Sequence, residues 1–366
     1  MPILKLNFRL HDWKLFYLRL TDEPRDNVPG RGHNDGVIYL LRSAVSVKPR
    51  LVSLFSGCGG MDLGFEQAGF EVVWANDFNL DATKTYIRNF GPHMHHGPIE
   101  EMNLDELPQA DGVIGGFPCQ DFSMIWKRGG IETERGNLYT YFVKTVETVK
   151  PKFFIAENVK GLVTANSGKA IERIVDDFAD LGYKVRWDIY NFADYGVPQL
   201  RQRVLIVGIR DDIRGFFERP AASRSAQNYV TAGEALAGVE NVPYNNEHQN
   251  IKERTRRIID AIPPGGNFTS IPKDSELYVK GMISHVYRRL DAKKPSTTII
   301  AGGGGGTWGY HYDEPRPLTN RERARLFGYP DDFVFEGTVT EVRRQIGNSV
   351  PPPAAKIIAT AIKKLL

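Results

Sequence analysis

Residues 51–60 read Leu51-Val52-Ser53-Leu54-Phe55-Ser56-Gly57-Cys58-Gly59-Gly60, an apolar run that passes directly into a glycine-rich turn. The apolar half predicts a buried strand, and the glycines let the backbone turn tightly and approach a ligand without an obstructing Cβ. The spacing departs from the dinucleotide fingerprint of oxidoreductases, because the next glycines are Gly60 and Gly64. Taken alone, the stretch leaves a plain structural turn and a nucleotide-binding turn about equally open.

Similar strand-like runs recur downstream and alternate with amphipathic or loop segments. They lie at residues 51–55, 72–74, 112–114, 153–156 and 204–207. This rhythm predicts an α/β fold with a parallel sheet, in which ligands bind at the carboxyl ends of the strands. We therefore expect the functional residues along that edge.

The regular pattern ends after residue 210, and the chain is long enough, at 366 residues, for a second and smaller domain. We expect an N-terminal extension of unknown role at residues 1–49, an α/β domain at 50–212 plus 319–366, and an irregular domain at 213–318. Residues 354–366 predict a final helix that packs back on the α/β domain.

Composition excludes several classes of protein. No apolar run approaches the roughly 20 residues that span a bilayer, and charged side chains such as Lys5 and Arg9 stand where a signal peptide is apolar, so a cytoplasmic protein is expected. Two cysteines, Cys58 and Cys119, cannot build a disulfide framework or a cysteine-rich zinc site, and no metal is expected. A net charge of +3 is too small to indicate nucleic acid by itself.

An acid follows the second predicted strand, in Asn76-Asp77-Phe78. Asp77 is placed to accept hydrogen bonds from ribose hydroxyls, and Phe78 can stack on an adenine. The alternative is that Asp77 caps a helix that begins near Asn79. The order of strand, glycine turn, strand, acid and aromatic residue favours a nucleoside site.

The second cysteine lies in a loop, Gly115-Gly116-Phe117-Pro118-Cys119-Gln120, directly after a strand-like run. Pro118 stiffens the backbone before the sulfur, and the setting favours a reactive thiol, whereas Cys58 is expected to be a small buried side chain. Glu157 ends another strand, and Arg201 and Arg203 lie two residues apart on one face of an extended segment. A helix-terminal acid and surface ion pairs are the alternatives for these charges.

From about residue 51 to the C-terminus the chain resembles the cytosine-5 DNA methyltransferases, in particular those of prokaryotic restriction-modification systems. The resemblance rests on residues 55–60, Pro118-Cys119-Gln120, Glu157-Asn158-Val159, Gln199 with Arg201 and Arg203, and residues 345–350, in the family's order. It implies a Rossmann-like S-adenosylmethionine-dependent domain and, at residues 213–318, a target-recognition domain. Relatives commonly have an acid where Pro98 stands, so looser recognition of the adenine is expected.

The family's chemistry implies that Cys119 attacks carbon 6 of a flipped-out cytosine, that Glu157 gives a proton or a hydrogen bond to nitrogen 3, and that Arg203 holds the ring oxygen. Pro118, Gln120, Asn158 and Arg201 would support them. The base that removes the carbon 5 proton is not identified by the sequence. The implied S-adenosylmethionine pocket, which yields S-adenosylhomocysteine as product, consists of Phe55, Gly57, Gly59, Asp77, Phe78, Ile99, Leu138, Asn348 and Val350.

Double-stranded DNA is the expected partner of a monomer, and a restriction endonuclease would act separately. Ser123, Lys127 and Arg128 in the loop of residues 120–135, and the basic run with Arg254, Arg256 and Arg257, are candidate DNA contacts, as are Arg288 and Arg289. A solvated helix face is nearly as good a reading of the basic run. A transfer-RNA cytosine methyltransferase and a catalytically silent nucleic-acid-binding relative are the alternatives, and the absence of any cysteine after Cys119 disfavours the former.

Overall fold

The computed structural model describes residues 47–118, 138–278, 281, 286–302 and 309–366. The strands and helices of the described residues belong to one compact unit, Lys48–Leu366. Its strands are β1 Arg50–Leu54, β2 Glu71–Asp77, β3 Met94–His96, β4 Gly112–Gly115, β5 Phe153–Val159, β6 Tyr183–Asn191, β7 Gln199–Leu200, β8 Gln202–Arg210 and β9 Ser296–Thr297. Its α-helices are α1 Gly60–Gln67, α2 Leu80–Phe90, α3 Leu138–Val149, α4 Lys169–Asp180, α5 Ala232–Leu236, α6 Glu253–Asp260, α7 Asn320–Leu326, α8 Val339–Asn348 and α9 Pro352–Lys363.

The main sheet has the strand order β3-β2-β1-β4-β5-β8-β6. Strands β1 to β5 pair in parallel, whereas β8 runs antiparallel to both of its neighbours, β5 and β6. The α/β fold is thus confirmed, but the expectation of an all-parallel sheet is wrong for the run at 204–207. Because β8 is reversed, its first residues lie at the edge where the other strands end.

Helices cover both faces of the sheet, and the alternation of side chains along β1 shows why. Leu51 packs with Phe65 of α1 and Ile358 of α9 on one face, while Val52 packs with Phe142 of α3 on the other. All of these side chains are buried, as expected for a strand covered on both sides. The predicted C-terminal helix is confirmed as α9, and it packs against α1.

The segment after β8 has little regular structure. A small separate core of Ile258, Ile262, Phe268, Ile271 and Val286 lies around α6. The short parallel pair β7–β9 joins this segment to the end of the sheet, with Gln199 opposite Ser296 and Leu200 opposite Thr297. The boundaries 213–318 stay a prediction. Within the described ranges, no helix has the length and apolarity that a membrane span needs.

Candidate active site

A cleft of about 340 Å³ opens at the carboxyl edge of the sheet, where β1, β2, β4 and β5 end and β8 begins. This volume falls within the range of ordinary ligand pockets. Its lining contains the glycine turn, Asp77 at the end of β2, the segment before Cys119, residues 157–159, Arg201 and Arg203, and residues 344, 345 and 347–350. The edge predicted from the strand pattern is therefore where the described candidates meet.

The turn after β1 needs its glycines. Gly57 and Gly59 have positive φ angles of 56° and 86°, and Phe55 shares this conformation with φ 54°. Helix α1 begins at Gly60, where a Cβ would lie 2.4 Å from the carbonyl oxygen of Val350 and 2.5 Å from the hydroxyl of Tyr329. The backbone therefore forms a tight floor to the cleft, at the N-terminus of a helix.

Asp77 is held by the turn that it faces. Its carboxylate accepts hydrogen bonds from the backbone amides of Gly57 at 2.9 Å and Asn79 at 2.8 Å. Helix α2 is capped by Asn79, whose side chain accepts from the amide of Ala82, so the alternative that Asp77 is the cap is wrong. Burial raises the pKa of the Asp77 carboxyl, and the two amides oppose that rise.

The other predicted cofactor residues differ in their exposure to the cleft. The ring of Phe78 is 67% exposed, and it lines the cleft together with Leu138, Asn348 and Val350. Ile99 is buried in the core beside β1 and does not belong to the lining. Its contact with adenine stays a prediction. An open aromatic face, a buried acid and a glycine floor are the groups that an adenosine and its attached amino acid would use, so the residues fit S-adenosylmethionine.

Glu157 and Arg203 form an ion pair at the other end of the cleft, with 3.0 Å between Arg203 Nε and Glu157 Oε1. Both lie at the same edge because the end of β5 pairs with the beginning of antiparallel β8, with Val159 opposite Arg203. Oε1 has no well-aligned hydrogen bond among the described residues. Burial raises the pKa of the Glu157 carboxyl, and the guanidinium groups of Arg203 and Arg201 counter that rise.

Gly116 leaves room for this carboxylate, because a Cβ there would meet Glu157 Oε2 at 3.1 Å. The next residues lead to the predicted nucleophile. Asn158 donates its side-chain amide to the carbonyl oxygen of Phe117 at 2.8 Å, and Pro118 is exposed in the cleft. Cys119 and Gln120 lie outside the described residues, so their roles stay predictions.

Arg201 differs from its neighbour Arg203. It is 1% exposed, and its guanidinium donates to three backbone carbonyl oxygens, those of Ile299, Gly347 and Ser349. The guanidinium also lies over the ring of Phe327, 4.9 Å from its centroid. The two arginines thus share the cleft, but only Arg203 pairs with the Glu157 side chain.

The candidate DNA contacts are only partly described. Ser123, Lys127 and Arg128 lie outside the described residues. The basic run forms an exposed face of α6, where Arg256 is 3.8 Å from Glu253, Arg257 pairs with Glu276, and Arg254 approaches the Glu276 carbonyl at 3.5 Å.

Arg289 is buried, and its guanidinium donates to backbone carbonyls of Ile259, Ile262, His311 and Tyr312. It is therefore a structural residue, and the expectation that it contacts DNA is wrong.

Two charged side chains that the sequence did not single out, Asp62 and Arg344, also line the cleft. Asp62 in the first turn of α1 is 1% exposed, accepts a hydrogen bond from the Tyr86 hydroxyl at 3.0 Å, and has no partner for Oδ2 among the described residues. Burial raises the pKa of this carboxyl to about 6. Arg344 is exposed and pairs with Glu341 at 2.9 Å. The sequence signal for these two residues was their position alone. Asp62 lies in the helix after the glycine turn, and Arg344 directly precedes residues 345–350.

Cys58 is buried as expected, with 3.2 Å between its sulfur and the Tyr329 hydroxyl. Burial raises the pKa of its thiol to about 12, which leaves it an inert side chain at neutral pH. No cluster of three or more His, Cys, Asp or Glu side chains suited to a metal occurs in the described parts of the chain.

Comparison with known proteins agrees with this arrangement. The sequence profile of the C-5 cytosine-specific DNA methylases matches residues 49–364. The Type II methyltransferase M.NgoFVII of Neisseria gonorrhoeae is 56% identical over 325 residues, covering 87% of each chain. The Type II methyltransferase M.BbvI of Brevibacillus brevis is 42% identical, covering 87% of this chain and 91% of its own.

Solved structures share the fold at lower identity. A DNA modification methyltransferase encoded within an E. coli prophage superposes with a TM-score of 0.67 at 23% identity, covering 87% of this chain and 99% of its own. The S. pombe Dnmt2 methyltransferase superposes with a TM-score of 0.59 at 20% identity, covering 87% and 98%. The profile match over most of the chain and the high identity to the curated relatives show that the chain belongs to the C-5 cytosine-specific DNA methylase family.

Proposed function

We propose that this chain methylates carbon 5 of a flipped-out cytosine in a specific duplex DNA sequence, through a covalent adduct with Cys119, and protects DNA within a restriction-modification system. The observation that carries the proposal is the Glu157–Arg203 pair, which lies in the same cleft as the glycine turn and as Pro118, the residue before Cys119. The names of the Type II relatives support the protective role.

The chemistry explains why these groups belong together. Carbon 5 of cytosine is a weak nucleophile, so a thiolate must first add to carbon 6 and push electron density toward carbon 5 and nitrogen 3. In the proposal Cys119 forms this carbon–sulfur bond. After methyl transfer a base removes the carbon 5 proton, the carbon–sulfur bond breaks, and the thiolate leaves with the ring's double bond restored.

Glu157 would relieve the charge that develops at nitrogen 3. A raised pKa brings its carboxyl closer to the protonated form that can give a proton to the ring, and burial is the main cause of that rise. Arg203 is within 3.0 Å of the same carboxyl, where it can hold the ring oxygen and orient the acid. Asn158 acts one step away, because its bond to the Phe117 carbonyl fixes the backbone that leads into Cys119.

The cofactor end of the cleft would hold S-adenosylmethionine, which supplies the methyl group when bound. Asp77 would accept from the ribose hydroxyls, Phe78 would stack on the adenine, and the turn at Gly57, where a Cβ would meet nothing within 4 Å, would allow close approach of the amino acid portion. Asn348 and Val350 line the facing wall. In the proposal these residues bind and orient the cofactor.

Duplex DNA is the proposed substrate, a monomer the proposed form, and a separate endonuclease the proposed counterpart in the cell. Cytosine must leave the helical stack to reach a cleft of this kind, at a cost of a few kcal/mol. Residues 213–318 would pay part of that cost through contacts to the target sequence. The basic face of α6, with Arg254 and Arg256, is the described surface that supports this placement.

The test is to express the gene in a bacterium that lacks cytosine methylation and to sequence its DNA and transfer RNA for 5-methylcytosine. The proposal expects the mark at one short DNA motif and none in transfer RNA. Modification of transfer RNA alone would replace the substrate, and no modification of either would favour a catalytically silent relative.

A further inference from the structure

Arg201 links two parts of the chain that lie far apart in sequence. It donates to Gly347 at 2.9 Å and Ser349 at 3.2 Å, on either side of Asn348, and to Ile299 at 3.3 Å. The first two carbonyls belong to the cleft wall at the end of α8, and the third lies just after β9. Arg201 itself stands between β7 and β8, at the entrance to the sheet.

Neighbouring contacts reinforce this junction. The Gln199 side chain, fully buried, accepts from the amide of Ile299 at 3.1 Å and donates to the carbonyl of Leu326 at 3.2 Å. Gly347 has no room for a side chain, because a Cβ would lie 2.4 Å from Ala301 Cα. The segment after β9 is therefore packed directly on the wall of the cleft.

The outer nitrogens of this buried guanidinium are committed to the backbone of the protein itself. Nη1 and Nη2 donate to carbonyl oxygens and the flat face lies over Phe327, while Nε has no hydrogen-bond partner among the described residues. Taking a guanidinium out of water is costly unless its donors are satisfied, and carbonyl acceptors together with an aromatic face partly offset that cost. Burial lowers the pKa of this guanidinium to about 9, so it still carries its charge at neutral pH.

We propose that Arg201 is a positioning residue for the cofactor, which fixes the backbone on both sides of Asn348 to the segment after β9 and so sets the shape of the cofactor wall. The inference rests on the proposed function, since it assigns that wall to S-adenosylmethionine. It replaces the role expected from sequence, in which Arg201 supports Arg203 at the cytosine.

The experiment is calorimetric titration of purified protein with S-adenosylmethionine, together with kcat and KM on methylatable DNA, for Arg201→Lys and Arg203→Lys. Lysine keeps the charge but cannot reproduce the planar fork of donors. Arg201→Lys is expected to weaken cofactor affinity about tenfold and raise the KM for the cofactor while kcat changes little. Arg203→Lys is expected to lower kcat with unchanged cofactor affinity.

Arg323→Lys is the matched control for the cost of altering a buried arginine. Arg323 is fully buried and donates to Asn320 at 3.4 Å, but it does not line the cleft. Its variant should lose thermal stability yet bind S-adenosylmethionine like the parent. If Arg201→Lys does not fold, Phe327→Leu removes the ring beneath the guanidinium and should weaken cofactor binding about threefold.

Parent-like cofactor affinity in Arg201→Lys, or a loss no larger than that of Arg323→Lys at equal loss of stability, would overturn the inference. A fall in kcat with unchanged affinity would return Arg201 to the catalytic role. A parent protein that binds no S-adenosylmethionine would overturn the proposed function itself, which distinguishes the two failures.

Discussion

The side-chain amide of Asn158 donates a 2.8 Å hydrogen bond to the carbonyl oxygen of Phe117. The bond is buried, and it joins the end of β5 to the segment that runs through Pro118 to Cys119. One side chain therefore ties the backbone of Phe117, two residues before the proposed nucleophile in sequence, to the strand that carries Glu157. Its removal should disturb alignment more than cofactor binding.

Asn158→Ala is accordingly expected to lower kcat by roughly 10- to 100-fold, because small misplacements of a reacting group have effects of that size. Affinity for S-adenosylmethionine, measured by calorimetry, should stay within about twofold of the parent. Asn103→Ala is the control, since that exposed side chain bonds to Glu106 at 2.8 Å and to the amide of Asp105 at 3.2 Å, both on the surface. Unchanged kcat in Asn158→Ala would show that the bond does not align the nucleophile.

Glu157→Gln keeps the size of the side chain but removes the proton-donating acid and the partner of Arg203. We expect methyl transfer to fall about 100-fold or more, in the range that general acids contribute. Tritiated methyl incorporation into DNA measures it. Asp188→Asn breaks a comparable contact, 2.8 Å to Arg219 on the surface, and should leave the rate unchanged. Equal rates in the two variants would exclude Glu157 from the chemistry.

Gly60→Ala introduces a Cβ 2.4 Å from the carbonyl oxygen of Val350, a contact that only backbone movement can relieve. Because this backbone forms the floor of the cleft, we expect cofactor affinity to fall at least tenfold in a calorimetric titration. Gly161→Ala is the matched control, since its Cβ would meet nothing within 4 Å. Cofactor binding that survives in Gly60→Ala would mean that the floor does not face the cofactor.

We expect Asp62 to make the stability of the protein depend on pH. Burial raises the pKa of its carboxyl from 3.8 to about 6. Its contribution to stability is therefore complete below about pH 4 and is lost as the pH rises through 6, by about 3 kcal/mol in total.

Asp62→Asn, which cannot ionise, should thus match the parent at pH 4 and exceed its free energy of unfolding by up to that amount at pH 8, as measured by urea denaturation. Asp105→Asn, on an exposed turn, removes the same charge and should show no such change. If the parent is as stable as Asp62→Asn at pH 8, then ionisation of the buried Asp62 carboxyl does not destabilise the folded protein.

Local pattern was enough to predict most of the sheet. The run at residues 153–156 is continuous, apolar and buried, and the glycine turn follows β1 directly. The pattern could not show that β8 is reversed, because the direction of a strand depends on the strands with which it pairs. The partner residues of β8 on β5, at 153–159, are far from residues 203–209 in sequence. It also missed β6, since Tyr183–Asn191 is partly exposed along its length and mixes polar with apolar residues.

The candidate site divides in the same way, into features that local pattern predicts and features that depend on long-range contacts. The positions of Asp77, Glu157 and Arg203 at this edge can be predicted, because each lies near the end or the beginning of a strand that meets the edge. Spacing and the family resemblance pair Arg201 with Arg203, and neither can reveal that Arg201 donates to the carbonyls of residues 299, 347 and 349. Asp62 carried no pattern of its own. A single sequence does not reveal long-range contacts, and these contacts decide whether a charged side chain faces a substrate or the backbone.

The most direct measurement is covalent trapping by duplex DNA in which the target cytosine is replaced by 5-fluorocytosine, in the presence of S-adenosylmethionine. Fluorine at carbon 5 cannot be removed as a proton is, so the thiol adduct should persist after methyl transfer. We predict a stable protein–DNA complex whose cross-linked peptide, identified by mass spectrometry, contains Cys119, and no complex with Cys119→Ser, although that variant still binds the cofactor. Trapping by Cys119→Ser, or a cross-link at another residue, would contradict the account.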